Sequence, residues 1–157
     1  MSSALRETAT RFISAFKDLS TEDHLALRTS DCLHIFAPAS LNLPAPQSND
    51  AFAEHLGRLR LIIEHFPVTA KEIHVNEPCH QAVIWATGQP EFRSEVMGKD
   101  PIAESWKYTG EYVFILDLDD TCLKIKRIVE FLDSKGTEKL LRMTAKAREN
   151  LETLNVA

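Results

Sequence analysis

The sequence predicts an α+β fold in which helices cover one side of a mostly antiparallel sheet. Apolar residues recur at helical spacing through most of the N-terminal part of the chain, and a period of two replaces that spacing from Ile73 to Asp133. One more helical stretch follows the strands. Helices that precede and follow a run of strands are typical of a layered α+β domain.

The N-terminal segment predicts two helices. Residues 3–18 carry apolar side chains on one helical face. Ser20, with Asp23 three residues later, is typical of a helix cap, so a second short helix is predicted through Arg28.

A strand and a loop separate these helices from the third one. Cys32–Ala37 is predicted as a short strand, and the prolines within 38–50 predict a loop. Ser48 or Asn49 then caps the third helix, which Pro67 ends. Its apolar stripe is the most regular in the chain and consists of Phe52, Leu56, Leu59, Ile63 and Phe66.

The rest of the chain predicts the sheet and a last helix. The strands are placed around Ile73 and Val75, at Ala82–Thr87, at Trp106–Leu118 and at Leu123–Asp133. Asp119, Asp120 and Thr121 form the turn between the last two strands. Residues 88–104 are predicted as a long loop, and Thr137 as the cap of the final helix.

Length and charge limit the class of protein. The 157 residues suit one domain spanning 1–157, and 18 basic against 23 acidic residues give a net charge of −5. The basic residues are scattered, so we expect no nucleic-acid partner. The chain has no N-terminal apolar signal core and no apolar run near ~20 residues, so we expect a cytoplasmic protein without a membrane span.

Motifs for metals and cofactors are missing from the sequence. Cys32, Cys79 and Cys122 are isolated, without the C-x-x-C spacing of a zinc knuckle, and their odd number argues against a disulfide framework. The histidines form no H-E-x-x-H pattern, and the sequence has no glycine-rich nucleotide motif and no G-x-S-x-G elbow. We therefore expect neither a metal nor an organic cofactor.

Four local strings carry a resemblance to a known family. They are Arg28–His34 with Pro38–Ser40, Asn49–Leu56, Trp106–Phe114 and Lys124–Ser134. Together with the order of elements, they resemble the SnoaL-like proteins of the nuclear transport factor 2-like superfamily. They are most similar to the fungal SnoaL-like isomerases and cyclases that rearrange meroterpenoid or anthraquinone and xanthone intermediates. The resemblance spans about residues 5–150.

This resemblance implies a cone, in which a curved antiparallel sheet wraps around the N-terminal helices and a C-terminal helix is added. It also implies proton-transfer chemistry without a cofactor. One departure concerns ketosteroid isomerases, which carry a general-base Asp at the end of the first strand, just before a Pro. Ala37 stands there in this chain, before Pro38, so the acid/base group must come from elsewhere in the cone.

His55 is the first candidate for that group. It lies on the apolar stripe of the third helix, and its imidazole suits acid/base chemistry near neutral pH. The alternative is a hydrogen-bonded core histidine. The resemblance adds Asp50, five residues earlier, as a partner of His55. About 140° of helical rotation separates the two residues, so that pairing needs an irregular first turn, and a carboxylate that favours the helix dipole is the alternative role.

Arg28 and His34 flank the first strand and are candidates for substrate binding. Arg28 could clamp a carboxylate or enolate, or cap the second helix. His34 shares a strand face with Phe36 and could instead occupy a solvated edge.

The strand from Trp106 predicts an aromatic wall. Trp106, Tyr108 and Tyr112 share one face, which suits a hydrophobic polycyclic substrate, and the tyrosine hydroxyls could donate to an oxyanion. Plain core packing is the alternative for this face.

Two carboxylates end the last strand. Glu130 and Asp133 are acid/base candidates by resemblance, on opposite faces unless a bulge intervenes. A surface pair with Arg127 or Lys135 is the alternative.

The resulting hypothesis is an isomerase or cyclase for a polyketide- or terpenoid-derived intermediate of secondary metabolism. His55 transfers a proton, helped by Asp50, Glu130 or Asp133. A dehydratase of the scytalone type and a non-catalytic ligand-binding or scaffold module are the alternatives. Because the long strands carry apolar residues on both faces, we also expect a homodimer.

Overall fold

The computed structural model describes residues 2–98 and 103–156. Its helices are α1 (Ser2–Ser14), α2 (Thr21–Ala26), α3 (Asn49–Arg60) and α4 (Ser134–Val156). Its strands are β1 (Arg28–Ala37), β2 (Ile63–His65), β3 (Val68–Asn76), β4 (Gln81–Gly88), β5 (Glu91–Phe92), β6 (Gly110–Leu118) and β7 (Ile125–Leu132). Short 3-10 helices lie at Ala39–Leu41, Glu77–Cys79, Ser94–Val96 and Ala103–Trp106. The predicted α+β class is confirmed.

Within the described residues, five strands form the main sheet in the order β1-β7-β6-β4-β3. The pairs from β7 to β3 are antiparallel, as predicted, and β1 runs parallel to β7 with Phe36 beside Glu130. The parallel pair is possible because most of the chain lies between these two strands, and a parallel pair needs such a long connection. The β2 and β5 strands pair separately.

The inner face of the sheet packs against α1 and α3. Alternate residues of β4, β6 and β7 are buried there, with Ile84, Phe114 and Ile128 at most 1% exposed. Leu56 and Phe92 belong to a second apolar cluster, in which side chains of α3, β5 and α4 pack together. No helix in the described ranges combines the length and apolar character needed to cross a membrane.

Two helices end earlier than predicted. The first helix ends at Ser14, and the turns that follow are held by bonds to the third residue back, such as the one from the Phe16 N–H to the Ile13 carbonyl at 3.3 Å. The chain then leaves the helical direction at Leu19, whose φ is 50°. The second ends at Ala26, and Arg28 begins β1 instead of ending the helix.

The third helix is also shorter than its apolar stripe. It ends at Arg60, and Ile63 pairs with Phe92 of β5. The Arg93 N–H also donates to the Ile62 carbonyl at 2.9 Å. Because of these pairings, Ile63 lies in β2 although its position in the apolar stripe predicts a helix. Pairing with β5 therefore outweighs the local helical pattern.

The boundaries of the strand predicted from Trp106 and of the last helix also differ from the prediction. Strand β6 begins at Gly110 and not at Trp106, which lies in a 3-10 helix. Helix α4 begins at Ser134, since the Thr137 N–H already donates to the Asp133 carbonyl at 2.8 Å. The predicted loop at 88–104 contains β5 and a 3-10 helix, and its residues 99–102 lie outside the described ranges.

Several predicted caps and turns are confirmed. The Ser20 hydroxyl accepts from the Asp23 N–H at 3.1 Å, and the Ser48 hydroxyl accepts from the Ala51 N–H at 3.2 Å. In the turn between β6 and β7, a carboxylate oxygen of Asp119 accepts from the Thr121 hydroxyl at 2.7 Å.

Candidate functional site

An apolar cavity of about 240 Å³ lies between α3, the inner face of the sheet and α4. Aromatic and aliphatic side chains make up most of its wall. The polar residues that line it are His55, Tyr112, Glu130, Thr137, Thr144 and Arg148. Pro44, Leu141 and Arg148 line the cavity and are exposed, which places its opening between the 38–48 loop and α4. Such a cavity suits a hydrophobic small molecule held by a few polar contacts.

Glu130 brings a carboxylate to the cavity wall. It lies on β7 among inward-facing residues and is 9% exposed. Its Oε1 is 3.0 Å from the Nε2 of His34. A carboxylate in such apolar surroundings is costly unless it is paired, and His34 supplies that pairing.

His34 is fully buried directly behind Glu130. Its ring stacks on Phe36 and on Phe52, at 4.8 Å between ring centroids in each case. The Nδ1 accepts a hydrogen bond from Arg28 Nη2 at 3.0 Å. Because Nδ1 accepts, the proton of the neutral ring lies on Nε2, which donates to Glu130. Burial lowers the pKa of His34, against the opposing effect of Glu130, so the ring stays neutral.

Arg28 completes this buried chain of three side chains. It is 5% exposed, and its guanidinium lies 3.9 Å from the centroid of the Phe52 ring. Burial lowers the pKa of Arg28 to about 10, so it remains a cation at neutral pH. Arg28, His34 and Glu130 therefore run in series from the interior to the cavity.

The backbone of His34 is also held in place. Its N–H donates to the Gln47 carbonyl and its carbonyl accepts from the Gln47 N–H, both at 2.9 Å. These bonds tie the end of the 38–48 loop to β1.

His55 is half-buried and lines the cavity from α3. Its ring lies 6.0 Å from that of Phe36 and 6.3 Å from that of Phe52, between centroids. Burial lowers the pKa of His55, which the charge of Glu130 partly opposes. The imidazole is therefore neutral at neutral pH and able to accept a proton.

Tyr112 lines the cavity from β6 and is 5% exposed. Burial raises its pKa, with further contributions from Tyr108 and Glu130. The phenol therefore stays protonated and can donate a hydrogen bond.

The other predicted site residues lie outside the cavity wall. Asp50 is exposed in the first turn of α3, and Asp133 is exposed just after β7. Trp106 is buried against Phe92, at 5.1 Å between ring centroids. Tyr108 is buried behind the wall, near Tyr112. Glu130 pairs with His34, whereas Arg127 pairs with Asp117.

Sequence reasoning missed the contribution of α4. Thr137, Thr144 and Arg148 line the cavity from this helix. Thr144 shares a helical face with Leu140, a spacing that indicates burial but gives no sign of a cavity. The contact between His34 and Glu130 joins residues 96 positions apart, and nothing in their local patterns indicates it. No cluster of three potential metal ligands occurs among the residues that the structure describes.

Comparisons with known proteins identify relatives in sequence and in fold. No protein-family profile matches the chain. The Austinoid biosynthesis clusters protein F of Emericella nidulans is 28% identical over 132 residues, which cover 83% of this chain and 68% of that protein. BvnE pinacolase from Penicillium brevicompactum has a TM-score of 0.80 at 21% identity, over 94% of this chain and 98% of that one.

A structure from Shewanella denitrificans, named as a SnoaL-like polyketide cyclase, has a TM-score of 0.67 at 14% identity. The match covers 88% of this chain and 97% of that one. At such identities, the structural likeness establishes the fold.

Proposed function

We propose that this chain, which has the SnoaL-like fold and is similar to fungal proteins of meroterpenoid biosynthesis, is a cofactor-free isomerase or cyclase. Its substrate is a polyketide- or terpenoid-derived intermediate of secondary metabolism. The observation that carries the proposal is the carboxylate of Glu130, which faces an apolar cavity and is held from behind by a neutral histidine. The names of the relatives, for an austinoid cluster, a pinacolase and a polyketide cyclase, support a biosynthetic enzyme.

The reaction needs only proton transfers. Glu130 takes a proton from a carbon next to a carbonyl group, the C–H bond breaks, and its electron pair moves to the carbonyl oxygen. The Tyr112 hydroxyl donates a hydrogen bond to that oxygen. Return of the proton to another carbon gives an isomer. Attack of the enolate carbon on a second carbonyl of the same molecule forms the C–C bond of a ring, the π electrons of that carbonyl move to its oxygen, and this oxygen takes the proton back from Glu130.

Arg28 and His34 act in this scheme as positioning residues. Neither side chain lines the cavity, so the predicted direct contact of Arg28 and His34 with the substrate has no part in this proposal. The N–H of His34 orients the Glu130 carboxylate, and Arg28 holds His34 in the tautomer that donates.

His55 provides a second acid/base group on the wall formed by α3. Its lowered pKa favours the free base at neutral pH. Glu130 and His55 could therefore share the removal and the return of the proton. Asp50 and Asp133, which are exposed and lie off the cavity wall, have no part in this proposal.

Turnover of candidate polyketide or terpenoid intermediates, followed by mass spectrometry, tests the proposal. A product of unchanged mass supports isomerisation or ring closure. A product lighter by one water indicates a dehydratase, and binding without conversion indicates a ligand-binding module. Activity should survive treatment with EDTA and dialysis, and restoration of lost activity by a metal or nucleotide would contradict the mechanism.

Glu130→Gln tests the carboxylate itself. We expect turnover to fall by a factor of about 10² or more, the usual contribution of a positioned acid/base group. The matched control is Glu54→Gln on the solvent side of α3, where the side chain is 77% exposed, and it should keep wild-type turnover. Wild-type turnover of Glu130→Gln would refute the role of Glu130.

A further inference from the structure

One arginine at the opening of the cavity has no ionic partner among the described residues. Arg148 follows Thr144 by one turn of α4, and both residues line the cavity. Arg148 is exposed, and its guanidinium makes no hydrogen bond or ion pair to a described residue, although Glu152 lies one turn later on the same helix. An arginine beside an apolar wall without a counter-charge attracts an anion.

The other charged group on the described wall of the cavity is already balanced. Glu130 supplies a carboxylate, and the buried Arg28 cation stands behind it through the neutral ring of His34. That series carries no net charge, so Arg148 leaves the described wall with one positive charge in excess. An apolar cavity with a cation at its opening favours an amphipathic anion, whose apolar part leaves water while its charged part stays at the surface.

His55 lies within electrostatic reach of this cation. Burial lowers the pKa of His55, and the charges of Arg58 and Arg148 add to that effect against the opposing charge of Glu130. Arg58 lies off the described wall of the cavity and faces Glu54, with 4.0 Å between its Nη1 and the Glu54 Oε2. Arg148 is therefore the cation that a ligand meets at the opening, on the way to the proposed acid/base groups.

We propose that Arg148 binds a carboxylate of the substrate at the opening of the cavity. The substrate class is accordingly an apolar cyclic acid, with its rings inside the cavity and its carboxylate between the 38–48 loop and α4. The planar guanidinium matches both oxygens of a carboxylate through parallel N–H donors, so the bound acid also has a fixed direction. This inference rests on the proposed function for the identity of the cavity as the substrate site, but binding alone tests it.

Two probes of nearly the same shape separate the charge from the apolar contacts. Naphthoate carries a carboxylate where naphthamide, with the same ring attachment, carries an uncharged carboxamide. Titration calorimetry at neutral pH and low salt should show about fivefold tighter binding of naphthoate to the wild type, which is the upper range for an exposed ion pair. This preference should shrink when salt is added, because salt screens an exposed pair.

Arg148→Met removes the charge and keeps a long side chain that suits a helix. It should abolish the preference for naphthoate and leave the affinity for naphthamide unchanged. Arg148→Lys should keep a smaller preference, because an ammonium group retains the charge but lacks the fork of the guanidinium. Arg142→Met is the matched control, since Arg142 is exposed on α4 outside the described wall and its loss changes the net charge equally. That variant should keep the full preference.

A wild type that binds the two probes equally, or binds neither, would overturn the inference, and so would a preference that survives in Arg148→Met. Equal loss of the preference in Arg142→Met would show a general effect of net charge and would overturn it as well. Glu130→Gln should retain the preference for naphthoate. A lost preference together with low turnover of Glu130→Gln therefore refutes this site alone, whereas a kept preference together with wild-type turnover of Glu130→Gln refutes the proposed catalysis alone.

Discussion

At the scale of single residues, the geometry of the site depends on one neutral imidazole. Arg28 donates to the Nδ1 of His34, which leaves the Nε2 proton for Glu130. Arg28 carries the positive charge at one end of this series and Glu130 carries the negative charge at the other end, so the two charges partly neutralise each other. A cationic His34 would place an N–H against the Arg28 guanidinium, so the arrangement resists protonation of the ring.

His55 carries the pH dependence of the proposed reaction. Burial lowers its pKa from the ordinary value of 6.5, so its free base should form below that pH and turnover should rise with pH over that range. We expect His55→Gln to lower turnover by a factor of about 10² and to remove this limb of the pH–rate profile.

The exposed His74 provides a control for this experiment. His74→Gln, whose native ring pairs with Glu72 at the surface, should leave the profile unchanged. A His55→Gln enzyme with wild-type turnover and a much lower melting temperature would identify His55 as a structural core histidine.

His24 links the stability of the fold to pH. Its ring is 1% exposed among Phe12, Phe16 and Phe52, and burial lowers its pKa to about 3. Below pH 6.5 the His24 ring binds a proton in the unfolded chain, whereas in the folded chain it stays neutral down to about pH 3. The contribution of His24 to the free energy of unfolding is therefore fully present above pH 6.5 and is lost as the pH falls towards 3. At about pH 5 the loss from His24 is about 2 kcal/mol.

Urea unfolding at neutral pH and at about pH 5 measures this effect. The volume-conserving variant His24→Met should lose less stability on acidification than the wild type, although His34 and His55 retain part of the dependence. His74→Met, at an exposed histidine, should behave as the wild type does. An acid-induced loss of stability that His24→Met does not reduce would show that His24 already binds a proton in the folded state.

At the scale of elements, neighbouring segments decide where helices and strands begin and end. Helix α3 yields to β2 at Ile63 because β5 offers a strand partner. Strand β6 begins at Gly110, where the Tyr108 and Tyr112 hydroxyls occupy the space that a Cβ atom would need. The effect of replacing a glycine on stability therefore depends on the atoms that surround it.

A pair of glycine substitutions tests this difference. Gly110→Ala should destabilise the protein by about 1–3 kcal/mol, because the added methyl group collides with rigid, buried tyrosine rings. Gly57→Ala, in the middle of α3, meets only Arg60 Nη2 at 3.8 Å and should stabilise by about 0.5–1 kcal/mol through helix propensity. Denaturant unfolding measures both, and equal effects of the two variants would contradict the packing argument.

At the scale of the whole molecule, the outer face of the sheet carries two apolar rows. Trp85, Val113 and Phe131 lie side by side across β4, β6 and β7. A second apolar row runs through Val83, Ile115, Val129 and Ile35. Phe131 is 49% exposed and Trp85 is 36% exposed, with Lys71 lying over the Trp85 ring. Exposed apolar rows of this kind favour a partner surface.

We therefore predict a homodimer formed through this face. Light scattering at micromolar concentration should give twice the mass of the chain, and Phe131→Glu should shift the protein to monomer. Leu154→Glu, at a 53% exposed position of α4, is the control and should leave the dimer intact. A wild-type monomer under these conditions would rule the dimer out.

Local sequence patterns predicted the α+β class and most of the order of elements, but not β2 and β5. Periodicity at 3–18 and at the stripe of α3 indicated helices, and alternation after Ile73 indicated strands, since these patterns depend on near neighbours in the chain. The caps at Ser20 and Ser48 followed from local hydrogen bonding. The resemblance to SnoaL-like proteins is confirmed for the fold, and the single domain over 1–157 stays a prediction.

The site was only partly predictable. His55, Tyr112 and Glu130 were named from their faces and meet at the cavity. The tertiary structure alone decided that Arg28 and His34 stand behind Glu130 and that α4 supplies part of the wall. Local patterns do not indicate these contacts because the residues that meet are far apart along the chain. A pattern reports which face of its own element a residue occupies, whereas pairing across 96 positions depends on how strands register and pack.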